Sequence, residues 1–278
     1  MEYKVGDKME KGYMDYMEEG YTDIFSSFPE ERIKEEKKQE LENKKNGTIE
    51  RKNKRRLLSL AKQKDNFDKG TIQETELYVG DCEEVCKKNI EPNTLDHIYT
   101  DPPYPYEFID CWSKLGRIAY NYLKPGGFLV TYSGSVFLSE CIRRVEDEGM
   151  RYFQIIPLIH NGSLGTVHCC NMRAKTKPII IFYKPDLDKK KKPFGSGHQW
   201  ENLLQGSGRD KESHIWGQSV DETFELFDIF SEPGDLILEP FCGGGNLIMG
   251  GLAMKRKMIG IDIDEKNVNI VKNKIKGE

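Results

Sequence analysis

From Thr75 onward, short runs rich in β-branched and aromatic residues alternate with longer amphipathic stretches, and this alternation restricts the fold more than any other feature of the chain. Strands are predicted over Glu76–Val79, Leu95–Thr100, Gly127–Tyr132, Tyr152–Ile159, Ile179–Tyr183, Asp235–Leu238 and Met258–Ile261. Helices are predicted over Phe108–Leu123, Ser135–Glu148, Asp221–Phe230, Leu247–Met254 and Glu265–Lys276. Strand and helix in turn is the pattern of a mostly parallel sheet with crossover helices, since parallel neighbours need a long return connection. The expected fold is therefore an α/β, Rossmann-like architecture with a seven-stranded sheet. Leu123-Lys124-Pro125-Gly126-Gly127 reads as a helix stop running straight into a strand.

Two stretches break the alternation. Residues 1–74 carry much of the chain's charge, with basic clusters at Lys44-Lys45, Arg51-Lys52 and Lys54-Arg55-Arg56. They read as a charged arm, helical or partly disordered, whose apolar patch at Leu57, Leu58, Leu60 and Ala61 would dock one helix on the body. Residues 185–217 are rich in Gly, Lys and Ser, include Lys189 to Lys192, and exceed an ordinary loop; they read as an inserted functional segment. The expected organisation is thus an arm over 1–74 and a catalytic domain over 75–278. No apolar run approaches the roughly 20 residues that span a bilayer, and no signal-peptide core opens the chain, so a cytoplasmic protein without membrane partners is expected. The 7 cysteines are irregularly spaced and form no zinc-type pairs, which argues for a reducing compartment and no metal. Cys82 and Cys86, four apart, would share one side of a helix.

Two motifs carry chemistry. Asp101-Pro102-Pro103-Tyr104 follows the strand Leu95–Thr100 directly, where open parallel sheets bind their ligands. The prolines stiffen the turn and fix the carboxylate. Such an acid suits the activation of an exocyclic amine of adenine or cytosine, a poor nucleophile because its lone pair is delocalised into the ring. The Asp101 side chain and the Pro102 carbonyl would accept its two hydrogens, and the nitrogen would then attack a sulfonium methyl held in line. Tyr104 would stack on the extruded base. The bland alternative is a Pro-rich turn with an incidental aspartate.

The second motif, Glu239-Pro240-Phe241-Cys242-Gly243-Gly244-Gly245-Asn246, lies between a predicted strand and helix, the layout of a nucleotide-type cofactor site. Asp262 ends the next strand, in the usual place for a ribose-binding acid. No GKS or GKT follows the glycines, so the loop is not a P-loop. An NAD or FAD site fits the loop alone but leaves Asp101 unexplained. Phe241 would be a wall of an adenine pocket or plain core. Cys242 reads as a small residue tolerated beside the glycines. His198, Trp200 and Trp216 would stack on bases or ribose, or pack in a core or lid, and His168, Cys169 and Cys170 fall in a loop with a structural role.

With both motifs located, residues from about Thr75 to the C-terminus resemble the DNA amino-methyltransferases that modify adenine N6 or cytosine N4. The order, DPPY before FCGGGN, resembles the β group, a circular permutation of the common methyltransferase fold. Leu77-Tyr78-Val79-Gly80-Asp81 is similar to the strand and acid that precede the catalytic motif, which implies Asp81 near the cofactor adenine. His214 to Ser219 with Pro233-Gly234-Asp235 is similar to the segment leading into the cofactor loop. Glu239 stands where the family more often has aspartate, and Asn246 where it has threonine or serine. Gln218-Ser219-Val220 replaces a familiar QKP and makes Ser219 a cofactor candidate.

The resemblance implies S-adenosyl-L-methionine as cofactor, without metal. Asp101, Pro102, Pro103 and Tyr104 would be catalytic; Asp81, Glu239, Phe241, Gly243, Gly245, Asn246, Asp262 and Ser219 would bind the cofactor. It implies duplex DNA as partner, and a homodimer is compatible with it. Aspartate at the head of the motif favours adenine, since the cytosine enzymes more often carry serine there. Cytosine N4, RNA, a protein amide, or an inactive methyltransferase-fold subunit are the alternatives; the net charge of −4 and the short insert keep the second and third open.

Overall fold

The sheet carries β1 (Thr75–Val79), β2 (Leu95–Thr100), β3 (Leu123–Tyr132), β4 (Arg151–Ile159), β7 (Thr176–Tyr183), β8 (Leu204–Gln205), β9 (Leu236–Glu239) and β10 (Lys257–Asp262) in the spatial order β1-β10-β9-β2-β3-β7-β4-β8. Strands β5 (Gly165–Val167) and β6 (Met172–Ala174) form a separate antiparallel hairpin. The computed structural model describes residues 75–159, 165–167, 172–185, 202–205 and 220–276, all within one compact unit, Gln63–Glu278. The arm over 1–74, nearly all of the insert over 185–217, and Ser219, His168, Cys169, Cys170, His198, Trp200 and Trp216 lie outside the described residues.

All seven strands expected from the sequence are present, and the two-residue β8 extends the sheet beyond β4. The pairs from β1 through β10, β9 and β2 to β3 are parallel, whereas β7 runs antiparallel to both β3 and β4. Central strands are buried on both faces, which is why they read as unbroken apolar runs rather than alternating ones: Ile179, Ile180, Ile181 and Phe182 of β7 are all 0% exposed.

Helices cover both faces. On one side lie α1 (Cys82–Asn89), α2 (Asp110–Tyr122) and α3 (Leu138–Asp147), with Cys82, Cys86, Trp112, Leu115, Ile118 and Val145 in their core. On the other lie α4 (Val220–Phe230), α5 (Asn246–Ala253) and α6 (Glu265–Lys276), with Leu226, Phe227, Ile248, Leu252, Val271 and Ile275 in theirs. Helix α1 was not among the predicted helices, being only 8 residues long, but its ends carry the expected chemistry. Asp81 caps its first amides, Glu83 and Glu84 sit in the first turn, and Lys87 and Lys88 in the last, matching the helix dipole. Cys82 and Cys86 do share its buried face.

Helix α4 ends on a buried cation. Arg256, 4% exposed, donates to the Phe227 carbonyl at 2.9 Å, the Ser231 carbonyl at 2.6 Å and the Ser231 hydroxyl at 3.0 Å. These bonds satisfy carbonyls that the helix terminus would otherwise leave unpaired.

Candidate active site

The strand order reverses between β9 and β2. From β9 the chain winds outward through β10, and from β2 it winds the other way through β3. Crevices form at such a reversal, outside the carboxyl ends of the strands. His97 and Ile98 of β2 lie level with Ile237 and Leu238 of β9. Asp101, just past β2, and Glu239, the last residue of β9, therefore come out side by side, although the two motifs are far apart in the chain. Asp262 closes β10 one strand further out, and Asp81 follows β1 at the edge.

Both carboxylate oxygens of Asp101 are engaged. The Tyr104 hydroxyl donates to Oδ1, and Lys177 Nζ donates to Oδ2 at 2.8 Å. The Lys177 ammonium also lies over two aromatic rings, 4.5 Å from the centroid of Tyr132 and 5.1 Å from that of Tyr104. Burial first, and then the neighbouring Asp101, push the Tyr104 hydroxyl far above its ordinary value, so it remains a donor. Pro102 is buried, while Pro103 and Tyr104 are half-buried. A Cβ on Gly134 would stand 3.4 Å from the Tyr104 Cβ, close enough that a larger side chain there would crowd Tyr104. Beside Tyr104 opens a cavity of about 360 Å³ lined by Pro105, Trp112, Ser133, Val136 and Phe137.

On the cofactor side, Gly243 and Gly245 hold φ of 45° and 77°, the left-handed region that favours glycine. A Cβ on Gly245 would stand 2.6 Å from Val271 Cγ2, so α6 packs where a side chain would be. The loop is pinned twice more. Gly243 N–H donates to Asp262 Oδ2 at 2.8 Å, and Lys274 Nζ donates to the Gly244 carbonyl at 2.7 Å. Asp262 Oδ1 accepts from the Asp264 amide at 2.9 Å and from Asn267 Nδ2 at 3.1 Å.

Glu239 is the most perturbed carboxylate of the site. It is 3% exposed, and its Oε2 has no hydrogen-bond partner. Burial foremost, then the negative charges of Asp101 and Asp262, raise its pKa well above 4.5, while the Ile248 amide pulls the other way. Cys242 is buried, and its thiol is likewise pushed up, mainly by burial, which removes it as a nucleophile.

Asp101, Pro102, Pro103, Tyr104, Glu239, Gly243, Gly245 and Asp262 are thus gathered at one end of adjacent strands. Asn246 opens α5 half-buried, and Phe241 is half-buried against the α1–α3 core. Asp81 stands apart at the edge, capping α1 and paired with Lys114 Nζ at 2.6 Å, which holds its carboxyl below the ordinary range. Ser219 is not among the described residues. Three residues escaped the sequence reading. Lys177 sits 76 positions from Asp101, and only the antiparallel course of β7 brings its first residues to this end of the sheet. Ile263, 77% exposed, and Val79, 47% exposed, are apolar side chains on the ends of β10 and β1; an isoleucine just after a strand-ending acid was the available signal.

A family model described as DNA methylase matches residues 95–273. Among curated proteins, the type II methyltransferase M.HpaI of Haemophilus parainfluenzae is 25% identical over 226 residues, covering 69% of this chain and 71% of that protein. M2.LlaDCHI of Lactococcus lactis subsp. cremoris, also a type II methyltransferase, is 24% identical over 232 residues, covering 68% of this chain and 84% of that protein. Among solved structures, the chain superposes on TTHA0409 of Thermus thermophilus, a DNA modification methylase complexed with S-adenosyl-L-methionine, with a TM-score of 0.59 at 19% identity, covering 72% of this chain and 93% of that one. The PvuII cytosine-N4-specific DNA methyltransferase gives 0.58 at 17%, covering 74% and 94%.

Proposed function

The chain belongs to the N6/N4 DNA methylase family, and from that premise we propose that it methylates the exocyclic amine of a base in duplex DNA, adenine N6 in the first place, with S-adenosyl-L-methionine as donor. The observation that carries the reading is the convergence of Asp101 and Glu239 at the reversal of strand order, one beside each half of the reaction.

The residues present fit the cofactor. Glu239 offers a buried oxygen without a partner, which a cationic group would satisfy. A Cβ on Gly243 would meet nothing within 4 Å, so the loop leaves open space on the cleft side. Asp262 retains lone pairs for ribose hydroxyls after its bonds to the loop. Ile263 and Val79 supply apolar contacts for a purine. S-adenosyl-L-methionine, when bound, provides a methyl group on a positively charged sulfur.

On the base side, Asp101 accepts one amine hydrogen and the Pro102 carbonyl the other, which draws the nitrogen toward a pyramidal, nucleophilic shape. The nitrogen lone pair forms the new N–C bond while the C–S bond breaks and leaves its electron pair on sulfur. The surplus amine proton passes to Asp101 and from there to solvent. The glycine loop, pinned by Asp262, Lys274 and Val271, holds the donor in line, which is where most of the acceleration arises. Tyr104 supports the extruded base by stacking.

Aspartate at the head of the motif supports adenine. The likeness to the PvuII cytosine-N4 enzyme supports cytosine N4 as the second reading. Asp101→Ala is expected to abolish transfer of a tritiated methyl group to DNA while cofactor binding persists; an active Asp101→Ala protein refutes the assignment. Modification mapping of DNA from cells expressing the chain reports the base and its sequence context together.

A further inference from the structure

Resting on that reading, we infer that Lys177 is a specificity-determining residue, and that Asp101 and Lys177 together read the ring nitrogen beside the target amine. Asp101 Oδ2 and Lys177 Nζ stand 2.8 Å apart and present an acceptor next to a donor. An asparagine or glutamine amide offers the same pairing when it grips a base edge with two hydrogen bonds. Each carboxylate oxygen carries two acceptor sites and an ammonium three donors, so both groups keep capacity for a ligand while bonded to each other.

The complementary edge is an amine donor beside a ring acceptor. Adenine has it at N6 and N1, and cytosine at N4 and N3. Guanine does not: its 2-amino group neighbours an N1–H, which would point a donor at the ammonium. Asp101 by itself would accept from any of the three amines, so the discrimination falls to Lys177.

The surroundings suit this role. Lys177 is held by Tyr132 as well as by Tyr104, and the Tyr132 ring is the nearer. As a base settles on Tyr104, Tyr132 keeps the ammonium beside Asp101. No second carboxylate pairs with Lys177 among its described ion pairs, so its charge is directed at the catalytic acid. Its position in β7 fixes it from the opposite side of the cleft to the DPPY loop.

The test uses the full chain and a duplex carrying the mapped target. The target base is replaced by its ring-deaza analogue, 1-deazaadenine, or 3-deazacytosine if the target proves to be cytosine. The wild-type protein is expected to lose about tenfold or more in kcat/KM on the analogue, as a charged donor is left without its acceptor. Lys177→Met is expected to treat the two duplexes alike, within about twofold, and Lys177→Arg to restore the discrimination. A 7-deazaadenine duplex, which keeps N1, is expected to behave as the natural one. Should Lys177→Met turn over too slowly, binding of the same duplexes with S-adenosylhomocysteine present makes the same comparison. Equal discrimination by wild type and Lys177→Met, or a wild-type loss on the 7-deaza duplex alone, overturns the role of Lys177. A wild-type protein that methylates no adenine or cytosine in any duplex refutes the proposed function instead.

Discussion

Binding of the methyl donor should expel a proton from Glu239. In the free protein this carboxyl is buried, lacks a partner on Oε2, and faces the charges of Asp101 and Asp262; its pKa lies well above its ordinary 4.5. A bound cation favours the carboxylate and so lowers that pKa. Between the two values, binding releases one proton, and affinity for S-adenosyl-L-methionine rises about tenfold per pH unit, or about 1.4 kcal/mol. Above the raised value the affinity levels off. The sign is the same for folding without ligand: the raised pKa contributes stability that is fully present below the unfolded value near 4.5 and is lost as pH rises through the folded one. Calorimetric titration with S-adenosyl-L-methionine across pH, repeated in phosphate and Tris, reads the proton directly through the buffer ionisation enthalpy. Glu239→Gln should flatten the pH dependence and remove the difference between buffers. A wild-type affinity independent of pH, or one that weakens as pH rises, would refute the reasoning, as would a Glu239→Gln protein with an unchanged slope.

Two further substitutions probe the framework. Gly245→Ala combines a φ of 77° with a methyl placed 2.6 Å from Val271, and should cost about 2–5 kcal/mol of stability in urea unfolding; Val271→Ala in the same chain should recover part of it. Arg256→Met strips the end of α4 of its donors and leaves two buried carbonyls unpaired, so a loss of at least about 2 kcal/mol is expected. An unfolding midpoint within error of wild type would show that water replaces the guanidinium.

The fold was legible because its pattern is local. Each central strand is an apolar run between turn residues, and each helix beyond α1 is long enough to show its period. The strand–motif–helix units around Asp101 and Gly243 could therefore be placed on the ends of strands from sequence alone. Contacts across the sheet could not be read in this way. Lys177 looks like one of several lysines near the start of a strand, and its ion pair with Asp101 depends on β7 running against its neighbours. Asp81 shows the converse: the sequence marks it as an acid after a strand, but its bonds to the α1 amides and to Lys114 follow from how α1 and α2 pack. Helix α1 was missed because a short, charged helix with three buried residues has little periodicity to display.

The wedge of β9 and β10 between β1 and β2 has a consequence for how the chain comes into being. β1 and β2 are close neighbours in sequence, yet each waits for its partner until residues 236–262 have been made. Through most of synthesis the growing chain carries two open strand edges that face one another across a missing centre. Such edges invite pairing with other chains, and parallel pairing across so long a separation is slow to form. The same late segment delivers Glu239, the glycine loop and Asp262. Closing the sheet and building the donor cleft are therefore one event, and a chain halted before residue 236 has an aggregation-prone edge and no site at all.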